Sequence, residues 1–126
     1  MNRYLLDTHA LLWFMDDPHL LSQEAQTAIA DPTAIIFLSA AAAWEMAIKA
    51  QAGRLSMPND LLQVLKRNRI ESLPIQLQHG LAAAKLPLHH RDPFDRMMIA
   101  QATCENLIFV TRDKQIIKYG TPCLVA

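Results

Sequence analysis

The sequence predicts an α/β fold with a central parallel sheet and helices on both faces. Two continuous apolar runs, Ile35–Leu38 and Leu107–Val110, have the β-branched and aromatic content of strands that are buried on both faces. Between them lie stretches of helix-forming residues with helically spaced apolar side chains. Strands that alternate with helices in this way pair in parallel through right-handed crossovers. Residues 1–126 are expected to form one domain, because 52% hydrophobic content at this length suits a single core.

The first third of the chain is predicted to hold a strand and two helices. Tyr4–Leu6 is a short apolar run that ends at Asp7, and helical spacing follows from Ala10 to Met15. Ser22 is expected to cap a second helix, which ends at Asp31 before a proline.

The middle of the chain predicts a well-formed helix from Ala40 to Gln51, with Gly53 as its stop. The apolar side chains expected to face the core share one stripe of this helix: Ala41, Trp44, Ala47 and Ile48.

The second half continues the alternation. A helix is predicted from Pro58 to Arg67, a short strand at Ile70–Leu73, and a further helix over residues 76–85. Asp92 is the expected cap of a helix from Pro93 to Cys104, since proline favours the first helical position.

Composition excludes several classes of protein. The start lacks the apolar run of a signal peptide and no apolar run is long enough to span a membrane, so we expect a cytoplasmic protein. Cys104 and Cys123 lack metal-ligand spacing and are expected to be small buried hydrophobic residues rather than a disulfide.

The charge is zero overall but unevenly distributed. The net charge is −5 over residues 1–48, +4 over 49–96 and +1 over 97–126. A zero total argues against a protein that holds nucleic acid mainly by a uniform positive field. The basic residues either form a rim around an acidic centre or an ordinary solvated surface. The candidates for the rim are Arg54, Lys66, Arg67, Arg69, Lys85, Arg91 and Arg96.

Two carboxylates directly follow predicted strands. Asp7 follows Tyr4–Leu6, and Asp113 follows the strand at Leu107–Val110. The functional crevice of an open parallel sheet lies beyond the carboxyl ends of its strands, where these two residues are predicted. The alternative for each one alone is a turn former or helix cap.

Glu45 lies within the most apolar predicted helix and allows two interpretations. It forms an exposed ion pair with Lys49 one turn on, or it points from a buried helix into a cleft. The spacing of apolar residues does not fix the rotation of the helix.

Asp95 is the fourth candidate carboxylate. It lies in the first turn after the Asp92 cap, where a side chain faces the positive end of the helix dipole and can still reach a cleft at the strand ends. His89 and His90 precede this helix without metal-ligand spacing, and we expect surface or substrate-rim roles for them.

Carboxylates that gather at one edge repel each other unless a hard divalent cation neutralises them. Mg²⁺ or Mn²⁺ suits ligation by oxygen alone and supports hydrolysis of a phosphodiester. Thr8, Ser39 and Thr111 are expected to orient the carboxylates or, more commonly for hydroxyls, to cap helices. The sequence has no Gly-rich phosphate loop and no Gly-x-Ser-x-Gly elbow.

At these residues the sequence resembles the PIN-domain nucleases, in particular the toxins of VapBC-type toxin–antitoxin systems. The resemblance spans nearly the whole chain and rests on four runs in order: LLDTHALLW at 5–13, SAAAAWEMAIK at 39–49, DPFDRMMIAQA at 92–102 and LIFVTRD at 107–113.

The resemblance implies a PIN-like three-layer fold and a Mg²⁺- or Mn²⁺-dependent endoribonuclease. It also implies a homodimer and a small antitoxin whose tail enters the active site. Asp7, Glu45 and Asp95 match the family's core metal-binding acids, and Asp113 matches its more variable fourth. Asp92 is the alternative to Asp95, although the spacing to the Ala-Gln-Ala stretch favours Asp95.

Two other functions remain open at this point. A Mg²⁺-dependent phosphatase or phosphotransfer domain also places an aspartate after its first strand, but Asp7-Thr8-His9 lacks the second aspartate of a haloacid-dehalogenase-type phosphatase. A non-catalytic PIN-like binding module is disfavoured because all four acids are present.

Overall fold

A five-stranded parallel sheet forms the centre of the protein, whose computed structural model describes residues 1–126. The predicted fold class is therefore confirmed. The spatial order of the strands is β3-β2-β1-β4-β5, and every neighbouring pair is parallel. In chain order the strands are β1 (Arg3–Leu6), β2 (Ile35–Ser39), β3 (Ile70–Leu73), β4 (Ile108–Thr111) and β5 (Cys123–Val125).

Seven α-helices and one short 3₁₀ turn, Pro18–Leu20, connect these strands. The chain runs outward from β1 to β3 and then returns across the sheet to β4, on the other side of β1. Because parallel crossovers are right-handed, this reversal places helices on both faces. The helices are α1 (Thr8–Asp16), α2 (Gln23–Ala30), α3 (Ala40–Gln51), α4 (Leu61–Arg67), α5 (Leu77–Ala84), α6 (Pro93–Cys104) and α7 (Lys114–Ile117). None of them has the length and apolar character needed to cross a membrane.

Two helices begin at the side-chain cap that the sequence predicts. Ser22 accepts a hydrogen bond from the backbone N–H of Ala25, and Asp92 accepts from those of Phe94 and Asp95. Such caps satisfy N–H groups that have no partner inside the helix. The bounds predicted for α3 and α6 are confirmed, whereas α4 begins at Leu61 instead of Pro58 because residues 59 and 60 form a turn.

The strand β5 was not predicted from the sequence. It has three residues, lies at the edge of the sheet and leaves its side chains half-buried or exposed. A segment this short, without a buried apolar run, gives no clear strand pattern.

The rotation of α3 differs from the predicted apolar stripe. Trp44 is 62% exposed and Ile48 is 45% exposed, whereas Glu45 and Met46 are buried. The buried residues of α3 are Ala41, Ala42, Glu45 and Met46, so the predicted stripe is wrong at Trp44 and Ile48. The inward-facing Glu45 carboxylate accepts a hydrogen bond from the buried Thr8 hydroxyl of α1.

The two cysteines are free, as expected, but they are not the buried residues that the sequence suggested. Cys104 is exposed at the end of α6, and Cys123 is half-buried in the edge strand. Their positions at a helix terminus and a sheet edge keep both outside the core.

The rotation of α3 can be tested with two large-to-small substitutions. Met46→Ala is expected to lower the free energy of unfolding by about 2–5 kcal/mol, because it leaves a cavity in the core. Leu62→Ala, in α4 at 78% exposure, is the control and should cost less than about 0.5 kcal/mol. Denaturant unfolding of both variants measures the difference. Equal losses would show that Met46 does not face the core.

Candidate active site

The four sequence-predicted carboxylates line one cavity of about 370 Å³. Asp7 directly follows β1 and Asp113 lies two residues after β4, so these adjacent central strands bring both carboxylates to the same edge of the sheet. Glu45 reaches the cavity from α3 and Asp95 from the first turn of α6. Residues separated by up to 106 positions are thus brought together at the carboxyl ends of parallel strands, the usual place for a site in such folds.

Asp7 is buried and held at both oxygens. Its Oδ1 accepts from the His9 backbone N–H at 3.2 Å, and its Oδ2 accepts from the Thr111 hydroxyl at 2.6 Å. Burial raises the pKa of Asp7 above its ordinary value, and the hydrogen bond from Thr111 opposes that rise. Asp7 therefore serves as the N-cap of α1 and also presents to the cavity a carboxylate whose charged form is destabilised by burial.

Glu45 combines the two interpretations that the sequence left open. Lys49 Nζ lies 2.8 Å from Glu45 Oε2, so the expected ion pair forms. Both residues line the cavity, so the pair lies there and not on an exposed helix face. The other oxygen, Oε1, accepts from the Thr8 hydroxyl at 2.7 Å. Glu45 is only 5% exposed, so its carboxylate faces the cavity and not bulk solvent.

Asp95 carries the largest resolved perturbation in the cluster. Burial, followed by the charges of Asp7 and Asp92, raises its pKa to about 7, although His90 opposes the shift. Its Oδ2 lies 3.0 Å from the His90 ring, while its Oδ1 has no hydrogen-bond partner within the chain. This oxygen is free to meet a bound group.

Asp92 also lines the cavity, but its Oδ1 is committed to capping α6 through the N–H groups of Phe94 and Asp95. The Oδ2 of Asp92 has no hydrogen-bond partner within the chain, so Asp92 also keeps a free oxygen. The preference for Asp95 drawn from the sequence stays a prediction.

His90 belongs to the cluster, which the sequence did not indicate. Its Nε2 lies 3.0 Å from Oδ2 of both Asp95 and Asp113. No spacing rule could have found this contact, since His90 and Asp113 are 23 residues apart and meet only through the fold. The expected rim role of His90 is replaced by a direct contact with two carboxylates.

The residues expected to support the site divide into two groups. Thr8 and Thr111 donate to the carboxylates, as described above. The Ser39 hydroxyl instead donates to Gln101 Oε1 and caps α3 through Ala41 N–H. Arg96 contacts none of the carboxylates and donates to four backbone carbonyls.

None of the seven basic residues considered for a rim lines this cavity, and the two cations that do are Lys49 and Arg112. The Arg112 guanidinium lies 4.0 Å from the centre of the Trp13 ring, in a cation–π contact at the cavity wall. Charges close in sequence need not share a face, and here residues from α3 and the end of β4 supply the positive groups.

The donor set fits a hard divalent cation. Every carboxylate of the cavity offers oxygen, which Mg²⁺ and Mn²⁺ prefer, and one oxygen of Asp95 is unpartnered. The raised pKa values of Asp7 and Asp95 reflect buried, mutually repelling charges that a cation would relieve. A larger cavity of about 1420 Å³, between α2 and the end of α4, contains none of the four carboxylates.

Comparisons with known proteins place this geometry in context. The model of the PIN domain family matches residues 4–121. Ribonuclease VapC22 of Mycobacterium tuberculosis is 30% identical over 97% of this chain and 95% of its own length.

Two solved structures have the same fold. A toxin–antitoxin complex from Klebsiella pneumoniae matches with a TM-score of 0.69 at 14% identity, covering 97% of this chain and 96% of its own. VapBC2 from Rickettsia felis, bound to a DNA fragment from its promoter, also matches with a TM-score of 0.69 at 14% identity, covering 98% and 97%.

The raised pKa of Asp95 predicts how pH changes the stability of the metal-free protein. Its folded pKa of about 7 exceeds the ordinary 3.8, so the folded state holds more protons than the unfolded chain between these values. Its contribution to stability is therefore lost as the pH rises through about 7. Asp95→Asn should raise the Tm in EDTA at about pH 8 and raise it less at about pH 5.

Asp31→Asn is the matched control, because hydrogen bonds from Thr33 lower the pKa of the Asp31 carboxyl. That variant should raise the Tm at neither pH. A Tm gain for Asp95→Asn that is equal at both pH values would contradict the raised pKa.

Proposed function

This chain belongs to the PIN domain family, and on that basis we propose that it is a metal-dependent endoribonuclease, the toxin of a type II toxin–antitoxin pair. The observation that carries the proposal is the cavity that four carboxylates line at the ends of β1 and β4. A relative with nearly the same length is named a ribonuclease, and structural neighbours are toxin–antitoxin complexes.

Asp7, Glu45, Asp95 and Asp113 are the residues that hold Mg²⁺ or Mn²⁺ in this proposal. When bound, the cation supplies an activated water and stabilises the charge that develops on the leaving oxygen of a phosphodiester. The chain itself fixes the carboxylates: Thr111 orients Asp7, Thr8 orients Glu45, and the α6 cap sets Asp95. Such outer partners hold ligands in position before the cation arrives.

Lys49 and Arg112 contribute the positive charge at the cavity. Lys49 partly balances Glu45 and lies where it can attract a substrate phosphate. Arg112 is fixed by hydrogen bonds to the carbonyls of Leu20 and Ala126 and by its contact with Trp13. An RNA backbone is thus guided by a few fixed cations, which agrees with the zero net charge of the chain.

The antitoxin partner follows from the same charges. The cavity is lined by five carboxylates and by two side chains of fixed positive charge, Lys49 and Arg112. A small antitoxin that inserts a basic side chain would neutralise this excess and exclude RNA from the site.

A nuclease assay tests the proposed activity. The purified chain should cleave RNA with Mg²⁺ or Mn²⁺, lose that activity in EDTA, and leave a phosphomonoester intact. Asp7→Asn keeps the side-chain shape but removes a negative charge, so cleavage should fall by orders of magnitude.

Either cation should also raise the Tm of the wild type by binding the folded state, and Asp7→Asn should reduce that rise.

Asp31→Asn is again the control, since Asp31 does not line the cavity. It should cleave RNA and respond to metal as the wild type does. If Asp7→Asn cleaves RNA at the wild-type rate, the carboxylates do not perform the proposed chemistry.

A homodimer is also proposed, from apolar side chains that the single chain leaves exposed. α3 and α5 both pack against α6, and they expose Trp44, Ile48, Leu77 and Leu81. Leu77 is 82% exposed, which is unusual for leucine unless another surface covers it. A two-fold interface over these helices would bury the exposed side chains of both copies.

Light scattering tests the dimer. The wild type should have twice the 14.2 kDa mass of the chain at micromolar concentration. Leu81→Lys should give a monomer, because it places a charge in the interface. Leu62→Lys, on the exposed side of α4, should remain dimeric. A wild-type mass of 14.2 kDa would rule the proposed dimer out.

A further inference from the structure

We propose that His90 is a positioning residue of the carboxylate site, whose Nε2–H donates to Asp113 beside Asp95 and leaves Asp95 Oδ1 free for the cation. This inference rests on the proposed metal site. It gives His90 a role through the carboxylates and excludes it as a direct ligand.

The hydrogen-bond network assigns the tautomer of His90. The backbone N–H of Asp92 donates to His90 Nδ1 at 3.1 Å, so Nδ1 carries no proton. The proton of the neutral ring is then on Nε2, which lies 3.0 Å from Oδ2 of both Asp95 and Asp113. Nε2 therefore donates to Asp113 Oδ2 and lies against Oδ2 of Asp95, and a nitrogen that carries a proton cannot also bind a metal.

Hydrogen bonds fix the loop that carries His90, which favours a positioning role for His90 over that of a mobile gate. Arg96 donates from both terminal nitrogens to the carbonyls of four residues on this side of α6: Ala83, Leu86, Pro87 and His90. The Tyr119 hydroxyl accepts from the His90 backbone N–H at 2.8 Å and donates to the Pro87 carbonyl at 2.6 Å. Because the guanidinium and the phenol fix the backbone on both sides of the ring, His90 keeps its place at the carboxylates.

The contact determines which carboxylate oxygens remain available. Asp113 accepts from Gln115 N–H at Oδ1 and from His90 at Oδ2, so each of its oxygens has one donor and keeps a second lone pair for the cation. Oδ2 of Asp95 lies against His90 Nε2 and its Oδ1 has no contact with the ring. The imidazole thus connects the Asp92 N–H at the start of α6 to Asp113, from the end of β4, and orders both carboxylates around one ring.

Two substitutions separate the nitrogens of the ring. His90→Asn places its amide near the position of Nδ1, so it can keep the contact with Asp92 but cannot reach the carboxylates. His90→Gln is longer and can place an N–H near the position of Nε2. Calorimetric titration with Mn²⁺ should show affinity weakened about tenfold or more in His90→Asn, the usual effect of losing an outer partner. His90→Gln should stay within about threefold of the wild type.

A second measurement reads the tautomer directly. Two-bond ¹H–¹⁵N correlation spectra should show a protonated Nε2 and an unprotonated Nδ1 in His90, both without metal and with saturating Mg²⁺. This readout uses the wild-type protein and does not depend on the folding of a variant.

The outcomes are distinct. Wild-type affinity in His90→Asn, or equal loss in His90→Asn and His90→Gln, would overturn the positioning role. Tighter Mn²⁺ binding by His90→Asn would show that His90 competes with the cation, and loss of the Nε2 proton on adding Mg²⁺ would show that it is a ligand. Both results overturn the inference while leaving the metal site intact. Absence of Mn²⁺ binding by the wild type would overturn the metal site and this inference together.

Discussion

Electrostatic repulsion among buried carboxylates is the constraint around which this protein is organised. The parallel strands β1 and β4 deliver Asp7 and Asp113 to one edge, and α3 and α6 add Glu45 and Asp95. Burying several like charges close together costs free energy unless each finds hydrogen-bond donors or a counter-charge. The raised pKa values of Asp7 and Asp95 express this cost. Many of the polar contacts around the cavity serve to reduce it.

The fold meets this cost with donors that also build the helices. Asp7, Asp92 and Asp113 cap α1, α6 and α7, so the backbone N–H groups that begin each helix stabilise a carboxylate at the site. The buried hydroxyls of Thr8 and Thr111 donate to Glu45 and Asp7. Removing a donor would therefore affect the stability of the fold and the geometry of the site together. Function and folding share the same hydrogen bonds here.

The orientation of α3 links the site to the surface. Glu45 faces the cavity, while Trp44 and Ile48 are exposed and Trp44 packs edge-on against Phe94. Because Glu45 and Ile48 are three residues apart, they lie on neighbouring faces of the helix. The site and the proposed dimer interface are therefore adjacent on α3.

The sequence by itself determined the α/β class, the bounds of α3 and α6, and the four carboxylates, because these depend on local patterns: apolar runs, caps and short motifs. Only the tertiary structure decided which groups meet. The hydrogen bond between Thr8 and Glu45 spans 37 residues, and the contact of His90 with Asp113 spans 23. None of the seven basic residues considered for a rim lines the cavity, because positions in the sequence do not fix a shared face. Contacts between distant segments have no local signature, since they arise from the packing of whole elements.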